Sequence, residues 1–163
     1  MARHVYYSLH YAADRARAEL VRGISLLTPN LEATPAAWAT MQRTGAFAIK
    51  RWFEQQLRGR SCTVVLIGAE TASRPLVLYE LERSWELKLG VLGIYIHGLK
   101  DAQGKGAQKG ANPFEQPSLA ALASVARTYD PPGDDSKLVY RHIADNIAQW
   151  VELAVAERAQ HAS

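Results

Sequence analysis

The chain has little of several things, and each shortage is informative. Cys62 is the only cysteine in 163 residues, so no internal disulfide can form. A reducing, cytoplasmic setting is therefore expected. No apolar run approaches the roughly 18–20 residues that a membrane-spanning helix requires. Met1-Ala2-Arg3-His4 leads straight into Val5, Tyr6 and Tyr7 without a small-residue cleavage pattern, so no signal peptide is expected. The five histidines (His4, His10, His97, His142 and His161) fall at no metal-ligand spacing, and one cysteine adds nothing to them, so no metal site is expected. Nineteen basic residues against sixteen acidic ones leave a net charge of only +3. That excess forms no clustered stripe, which argues against nucleic acid as a partner. Internal repeats and low-complexity tracts are absent.

What remains is ordinary globular composition, 48% apolar and 21% charged. The length suits one domain, residues 1–163, with a core of its own. His4 to Leu9 reads as a strand on the β-propensity of Val5, Tyr6 and Tyr7. From Asp14, a fair N-cap or first-turn residue, Leu20, Val21, Ile24 and Leu27 take up helical spacing. Thr28-Pro29-Asn30 breaks that helix. The stretch to about Gln42 reads as irregular, with Pro35 barring a long helix. A second helix is expected from about Thr44 to Leu57, with Ile49, Trp52, Phe53 and Leu57 as its stripe and Gly59 as its end.

Cys62 to Ile67 is almost continuously apolar, as in a strand buried on both faces of a parallel sheet. Gly68 closes it. Ser73 is a plausible N-cap for a third helix running to Lys88, with Pro75 in its first turn. Leu78, Leu81, Trp85 and Leu89 mark its inner face, and Gly90 is the expected terminator. Val91 to His97 is the next buried strand. A glycine- and lysine-rich loop follows to about Pro117, then a short helix near Ser118–Ser124 and a weak strand near Val125–Tyr129. The last helix spans about Leu138 to Ala159, with Ile143, Ile147, Trp150, Val151 and Ala154 inward. Strands alternating with helices indicate an α/β doubly wound parallel sheet. Ligands of such sheets bind at the carboxyl ends of the strands, which directs attention to the loops after Leu9, Gly68 and His97.

Glu80 lies one or two turns into the helix after the Gly68 strand. Its spacing from Leu78 and Leu81 places it, with Ser84, on another face than the apolar one. A carboxylate there can lean over the strand ends, although a solvated surface glutamate is the ordinary case. Ser8, His10 and Tyr11 follow the first strand, with Asp14 beyond. A hydroxyl, an aromatic face and helix-terminal amides suit a nucleotide, and equally a capped turn. Trp38 can stack on a base or pin its segment to the core. The Gly104-Lys105-Gly106 and Lys109-Gly110 run lacks both the dinucleotide fingerprint and the phosphate-loop ending, and reads as a flexible loop.

Taken in order, these segments resemble the TIR-like domains of the bacterial Thoeris anti-phage system. The matching stretches are Val5-Tyr6-Tyr7-Ser8-Leu9-His10-Tyr11 with Asp14, and Thr63 to Thr71 followed by Val77-Leu78-Tyr79-Glu80-Leu81 and Ser84. Gly93 to His97, Lys109 to Phe114, Asp145-Asn146-Ile147 and Trp150-Val151-Glu152 continue the series. TIR domains carry a tryptophan-cysteine pair, two residues, then the catalytic glutamate. Here that frame falls on Leu76, Val77 and Glu80, so the glutamate is kept and the pair behind it is replaced. The segment from Leu27 to Gln42 departs from the family pattern.

The resemblance implies a flavodoxin-like fold and an NAD-consuming enzyme. Such an enzyme breaks the nicotinamide–ribose bond and makes a cyclic or conjugated ADP-ribose messenger for an effector protein. It implies Glu80 as the catalytic residue and Ser8, His10, Tyr11, Asp14, Trp38, Gly68, Ser73 and Tyr79 as nucleotide contacts. It implies no cofactor beyond NAD as substrate, no membrane partner, and self-association into a homo-oligomer. Two other readings stay open: a non-catalytic nucleotide- or protein-binding module, and a nucleoside deoxyribosyltransferase-like enzyme. Fold alone does not separate them.

Overall fold

The structure, a computed structural model, describes residues 2–161. Five strands form one sheet: β1 (Arg3–Leu9), β2 (Leu27–Pro29), β3 (Cys62–Ile67), β4 (Gly90–Tyr95) and β5 (Arg127–Tyr129). All pair in parallel, in the order β2-β1-β3-β4-β5. This is the flavodoxin-like order, whose direction of winding reverses between β1 and β3. Five α-helices flank the sheet, four between strands and the last after β5: α1 (Tyr11–Arg22), α2 (Pro35–Thr44), α3 (Ala46–Leu57), α4 (Pro75–Glu86) and α5 (Ser136–Gln160). No helix among the described residues is long and apolar enough to cross a membrane.

Period-two alternation sorts the strand side chains between two layers. Val5 and Tyr7 of β1, Cys62, Val64 and Leu66 of β3, and Leu92 and Ile94 of β4 pack with α1 and α5. Val65 and Ile67 of β3 and Val91 and Tyr95 of β4 pack on the other face, against Val77 and Leu81 of α4. Tyr6 joins Phe53 and Leu57 of α3 in a third cluster on that face. Both faces of β3 and β4 are covered, so these strands are buried throughout and mostly apolar.

The structure departs from the sequence expectations at definite places. The first helix ends at Arg22 with Gly23 as its cap, and Leu27 opens β2 instead of closing the helix. Three residues are too few to show a strand period, but their pairing with Arg3 to Val5 makes them the sheet edge. Leu20 is consequently 40% exposed, outside the packed stripe. The stretch expected to be irregular contains α2. Pro35 starts that helix rather than preventing one, because Thr34 caps it by accepting from the Ala37 amide. Ser73 is not the cap of α4. It ends a short 3₁₀ turn (Thr71–Ser73), and its hydroxyl donates to the Glu70 carbonyl. The expected short helix near Ser118 is a 3₁₀ turn at Pro117–Leu119. The lysine-rich loop is tied down by Arg17, which donates to the carbonyls of Leu99 and Lys105.

Gly90 does not terminate α4. Lys88 takes the left-handed turn at φ 65°, and Gly90 is the first residue of β4. A Cβ on Gly90 would lie 2.9 Å from backbone atoms of Ala154 and Val155, so glycine there is what lets α5 approach the sheet. Gly90→Ala should therefore push α5 outward and lower stability by roughly 1–3 kcal/mol. Urea unfolding followed by circular dichroism checks this, and an unchanged midpoint would refute the close approach.

Candidate active site

β1 brings Tyr6 and Ser8 to the α4 side of the sheet, two residues apart on one face. α4 meets them with Glu80. The buried residues of that helix are Val77, Glu80, Leu81 and Ser84, so Glu80 and Ser84 lie on the buried face and not on a separate polar one. Leu78 and Trp85, expected inward, are only partly buried beside them. Ser84 explains part of the tolerance for polarity: its hydroxyl pairs with Thr63 of β3 at 2.7 Å and also contacts the Glu80 carbonyl.

The Glu80 side chain is satisfied from β1. Ser8 Oγ donates to Oε1 at 2.7 Å, and the Tyr6 hydroxyl donates to Oε2. With Glu80 only 5% exposed, burial pushes its pKa up to about 7, against the pull of the Tyr6 and Ser8 hydrogen bonds. Burial and the neighbouring carboxylate raise the Tyr6 hydroxyl well above its ordinary range, which keeps it a donor. Phe53 meets the Tyr6 ring edge-on at 4.9 Å and Tyr79 at 5.7 Å, so α3 locks the donor in place.

Above Glu80 opens a cavity of about 600 Å³. It lies at the carboxyl end of β1, beside the switch point, where open α/β sheets place their ligands. Its walls come from the cap and first turns of α1 (His10, Tyr11, Arg15), the segment after β2 (Asn30, Glu32), α2 and α3 (Trp38, Trp52), and the start of α4 (Arg74 to Val77). Arg22 belongs to the wall but is committed, donating to the side chain and carbonyl of Asn30 with Glu32 3.4 Å away. His10 caps α1 without a side-chain hydrogen bond to it, and its Nδ1 is buried without a partner.

Of the residues singled out in the sequence, Glu80, His10, Tyr11 and Trp38 meet in this cavity, and Ser8 reaches it through Glu80. Four do not line it. Asp14 is buried in an ion pair with Arg17 at 2.9 Å, and burial raises its pKa despite that partner. Gly68 serves Asp14: a Cβ there would lie 2.0 Å from the carboxylate. Ser73 stays in its turn, and Tyr79 packs on Phe53 with Lys50 over its ring. The sequence reading missed Tyr6, although its place two residues before Ser8 on one strand was a usable signal. It also missed Trp52, Arg15 and Arg74, which join the site only through packing of α1, α3 and α4.

The raised Glu80 pKa has a stability consequence. Between the usual glutamate value near 4.5 and about 7, the folded chain keeps a proton that the unfolded chain has lost, so this group makes stability fall as pH rises. Above about 7 the loss is complete. Glu80→Gln removes the slope. Its stability relative to wild type should rise by roughly 2–3 kcal/mol between about pH 4.5 and about pH 8. Urea titrations at the two pH values check this, and a constant difference would exclude a buried, raised Glu80.

The sequence model of a TIR-like domain, that of the Thoeris protein ThsB, matches residues 6–101. The match spans β1 through β4 and includes Tyr6, Ser8, Glu80 and most of the cavity wall. A protein of Bacillus cereus named "Putative cyclic ADP-D-ribose synthase ThsB1" is 34% identical over 120 residues. That alignment covers 71% of this chain and 62% of the relative, so the chain spans about three fifths of the relative's length. With its parallel β2-β1-β3-β4-β5 sheet and a glutamate in the TIR frame of α4, the chain belongs to the TIR-like domain family of the Thoeris protein ThsB.

Proposed function

We propose that this chain cleaves NAD at the nicotinamide–ribose bond and turns the remainder into a cyclic or conjugated ADP-ribose. That product would act as a diffusible messenger for an effector protein in anti-phage defence. The observation that carries the reading is the Glu80 carboxylate, held by Tyr6 and Ser8 beneath a nucleotide-sized cavity. The name of the Bacillus cereus relative, a cyclic ADP-ribose synthase, supports the same chemistry.

The reaction asks little of the protein beyond a placed anion and a shaped space. The nicotinamide ring of NAD is a cation and already a leaving group. When the C1′–N bond breaks, its electron pair goes to the ring nitrogen, and neutral nicotinamide departs. Positive charge is left on C1′ and the ribose ring oxygen, as in glycoside cleavage. An ionised Glu80 accepts hydrogen bonds from the ribose hydroxyls and stabilises that charge in a site with little water to screen it. A hydroxyl of the same ADP-ribose, or of a second molecule, then attacks C1′ and loses its proton; if an adenine ring nitrogen attacks instead, its lone pair forms the new bond and the positive charge passes to the base. Capture within one folded nucleotide outruns capture by water when the cavity holds the two ends together. Tyr11, Trp38 and Trp52 offer aromatic faces for a base or the nicotinamide ring. NAD is the substrate, and the chemistry needs no further cofactor.

Glu80→Gln should lower nicotinamide release from NAD by roughly a hundredfold or more while the variant stays folded. Chromatography of the released base checks this, and mass analysis of the adenosine-containing product separates cyclisation from hydrolysis. Full turnover in that variant would remove Glu80 from the chemistry. Binding of NAD without release by wild type would favour the non-catalytic module.

The working form of Glu80 is the carboxylate, so kcat/KM should rise with pH to a plateau, with its midpoint at about 7. Tyr6→Phe deletes one donor to the carboxylate and should move that midpoint upward, leaving the plateau at high pH less affected than the rate at neutrality. A pH–rate profile of the two proteins measures the shift, and coincident profiles would mean that Tyr6 does not hold the working carboxylate.

A further inference from the structure

Two of the three arginines on the cavity wall have donors to spare. Arg22 is occupied by Asn30 and Glu32. Arg74 is different. Its Nη2 reaches Glu70 at 2.8 Å in an exposed pair, with side chains 41% and 62% accessible, which holds it weakly. Its Nε is buried and has no hydrogen-bond partner. A buried N–H without an acceptor is costly and uncommon, and a bound ligand is one way to satisfy it. Arg15 is the other. It is about half exposed, and Glu19 lies 3.4 Å from its Nε. His10 Nδ1, on the same stretch of wall, is likewise buried and unpartnered.

The topology explains why these groups share a wall. β1 and β3 are neighbours, and the chain leaving β1 enters α1 on one face while the chain leaving β3 enters α4 on the other. The starts of α1 and α4 therefore flank one crevice. His10 and Arg15 come from the first, Arg74 from the second. The carboxyl groups of the cavity, Glu80 and Glu32, are on its floor and beside Arg22.

We infer that Arg74, Arg15 and His10 form a diphosphate clamp, which makes the cavity selective for diphosphate-bridged dinucleotides over uncharged nucleosides. The fork of Arg74 suits two phosphate oxygens, and Nε supplies one of the two N–H groups. Arg15 adds a second guanidinium, and His10 Nδ1 can donate a further hydrogen bond. Holding the diphosphate here leaves the sugar carbon at the far end of the nucleotide to meet Glu80. The inference rests on the NAD reading for the identity of the natural ligand, but it concerns binding and is tested without turnover.

Calorimetric titration of the full chain with ADP-ribose, and separately with nicotinamide riboside, tests the clamp. The second ligand has a ribose and the ring but no phosphate. Arg74→Gln should weaken ADP-ribose binding roughly tenfold or more, and the Arg15→Gln/Arg74→Gln pair further, while nicotinamide riboside is unaffected. Arg74→Lys should recover part of the loss, because the charge returns without the fork. Thermal melting shows whether each variant is folded, and Arg15→Gln, at an exposed side chain, carries the test if Arg74→Gln is not. Equal affinity for ADP-ribose in wild type and variants, an equal loss for both ligands, or no ADP-ribose binding by wild type would overturn the clamp. ADP-ribose binding that needs the arginines, in a wild type that releases no nicotinamide from NAD, would keep the clamp and reject the catalytic reading. Normal nicotinamide release with arginine-independent binding would do the reverse.

Discussion

The Glu80 carboxylate is held out of water between α4 and β1, and much of the site's design follows from the cost of keeping it there. A carboxylate so enclosed must be neutralised by a proton or satisfied by donors. Here both operate. Ser8 and Tyr6 donate to its two oxygens, and burial still lifts its pKa to about 7. The group is thus poised near neutrality, where a small change in its surroundings decides whether it is charged. The positive charge that NAD would bring into the cavity favours the ionised form by simple electrostatics.

Keeping two donors on the carboxylate constrains the surrounding layers. Ser8 and Tyr6 must stand on the same side of β1, which places Tyr7 and Val5 in the opposite core with α1 and α5. The Tyr6 ring needs a wall, and Phe53 of α3 provides it, backed by Tyr79 of α4. Ser84, one turn beyond Glu80, pairs with Thr63 so that the polar stripe of α4 has a partner along β3 as well. The tryptophan and cysteine that precede the glutamate in other TIR domains are replaced by Leu76 and Val77. Val77 is buried against β3 and β4 and Leu76 faces the cavity, so the helix still seats firmly enough to present Glu80.

The cavity has walls of unequal character. β1, α1 and α4 are anchored in buried clusters. α2 contributes Trp38 to the cavity but has no buried residue of its own. It is suspended between Thr34-Pro35 and Gly45, which lies at φ 116°, and packs chiefly on α3. A helix with so little buried surface is the part of the wall least stabilised by the core. It also lies in the stretch where the sequence departs from the family pattern, so variation there changes the ligand's surroundings at little cost to the fold.

Much of this was decided in the sequence itself. The apolar runs at Cys62–Ile67 and Val91–His97 suit strands covered on both faces, and their alternation with amphipathic helices points to a parallel sheet. The TIR frame around Glu80 and the polar run Ser8-Leu9-His10-Tyr11 marked one wall and the floor of the site, because strand and helix periods are written locally. The edge strand Leu27–Pro29 and the helix begun by Pro35 were not legible, since three residues show no period and the proline's role depended on Thr34 capping. Which face of α4 is buried could not be read from apolar spacing either. Glu80 and Ser84 lie inward only because Ser8, Tyr6 and Thr63 on neighbouring strands supply their hydrogen-bond partners. Arg15 and Arg74, fifty-nine positions apart in the chain, share a wall because β1 and β3 are adjacent in the sheet. Period and propensity act over a few residues and belong to the sequence; the pairing of strands and the burial of a charge act across the whole fold, and only the tertiary structure decides them.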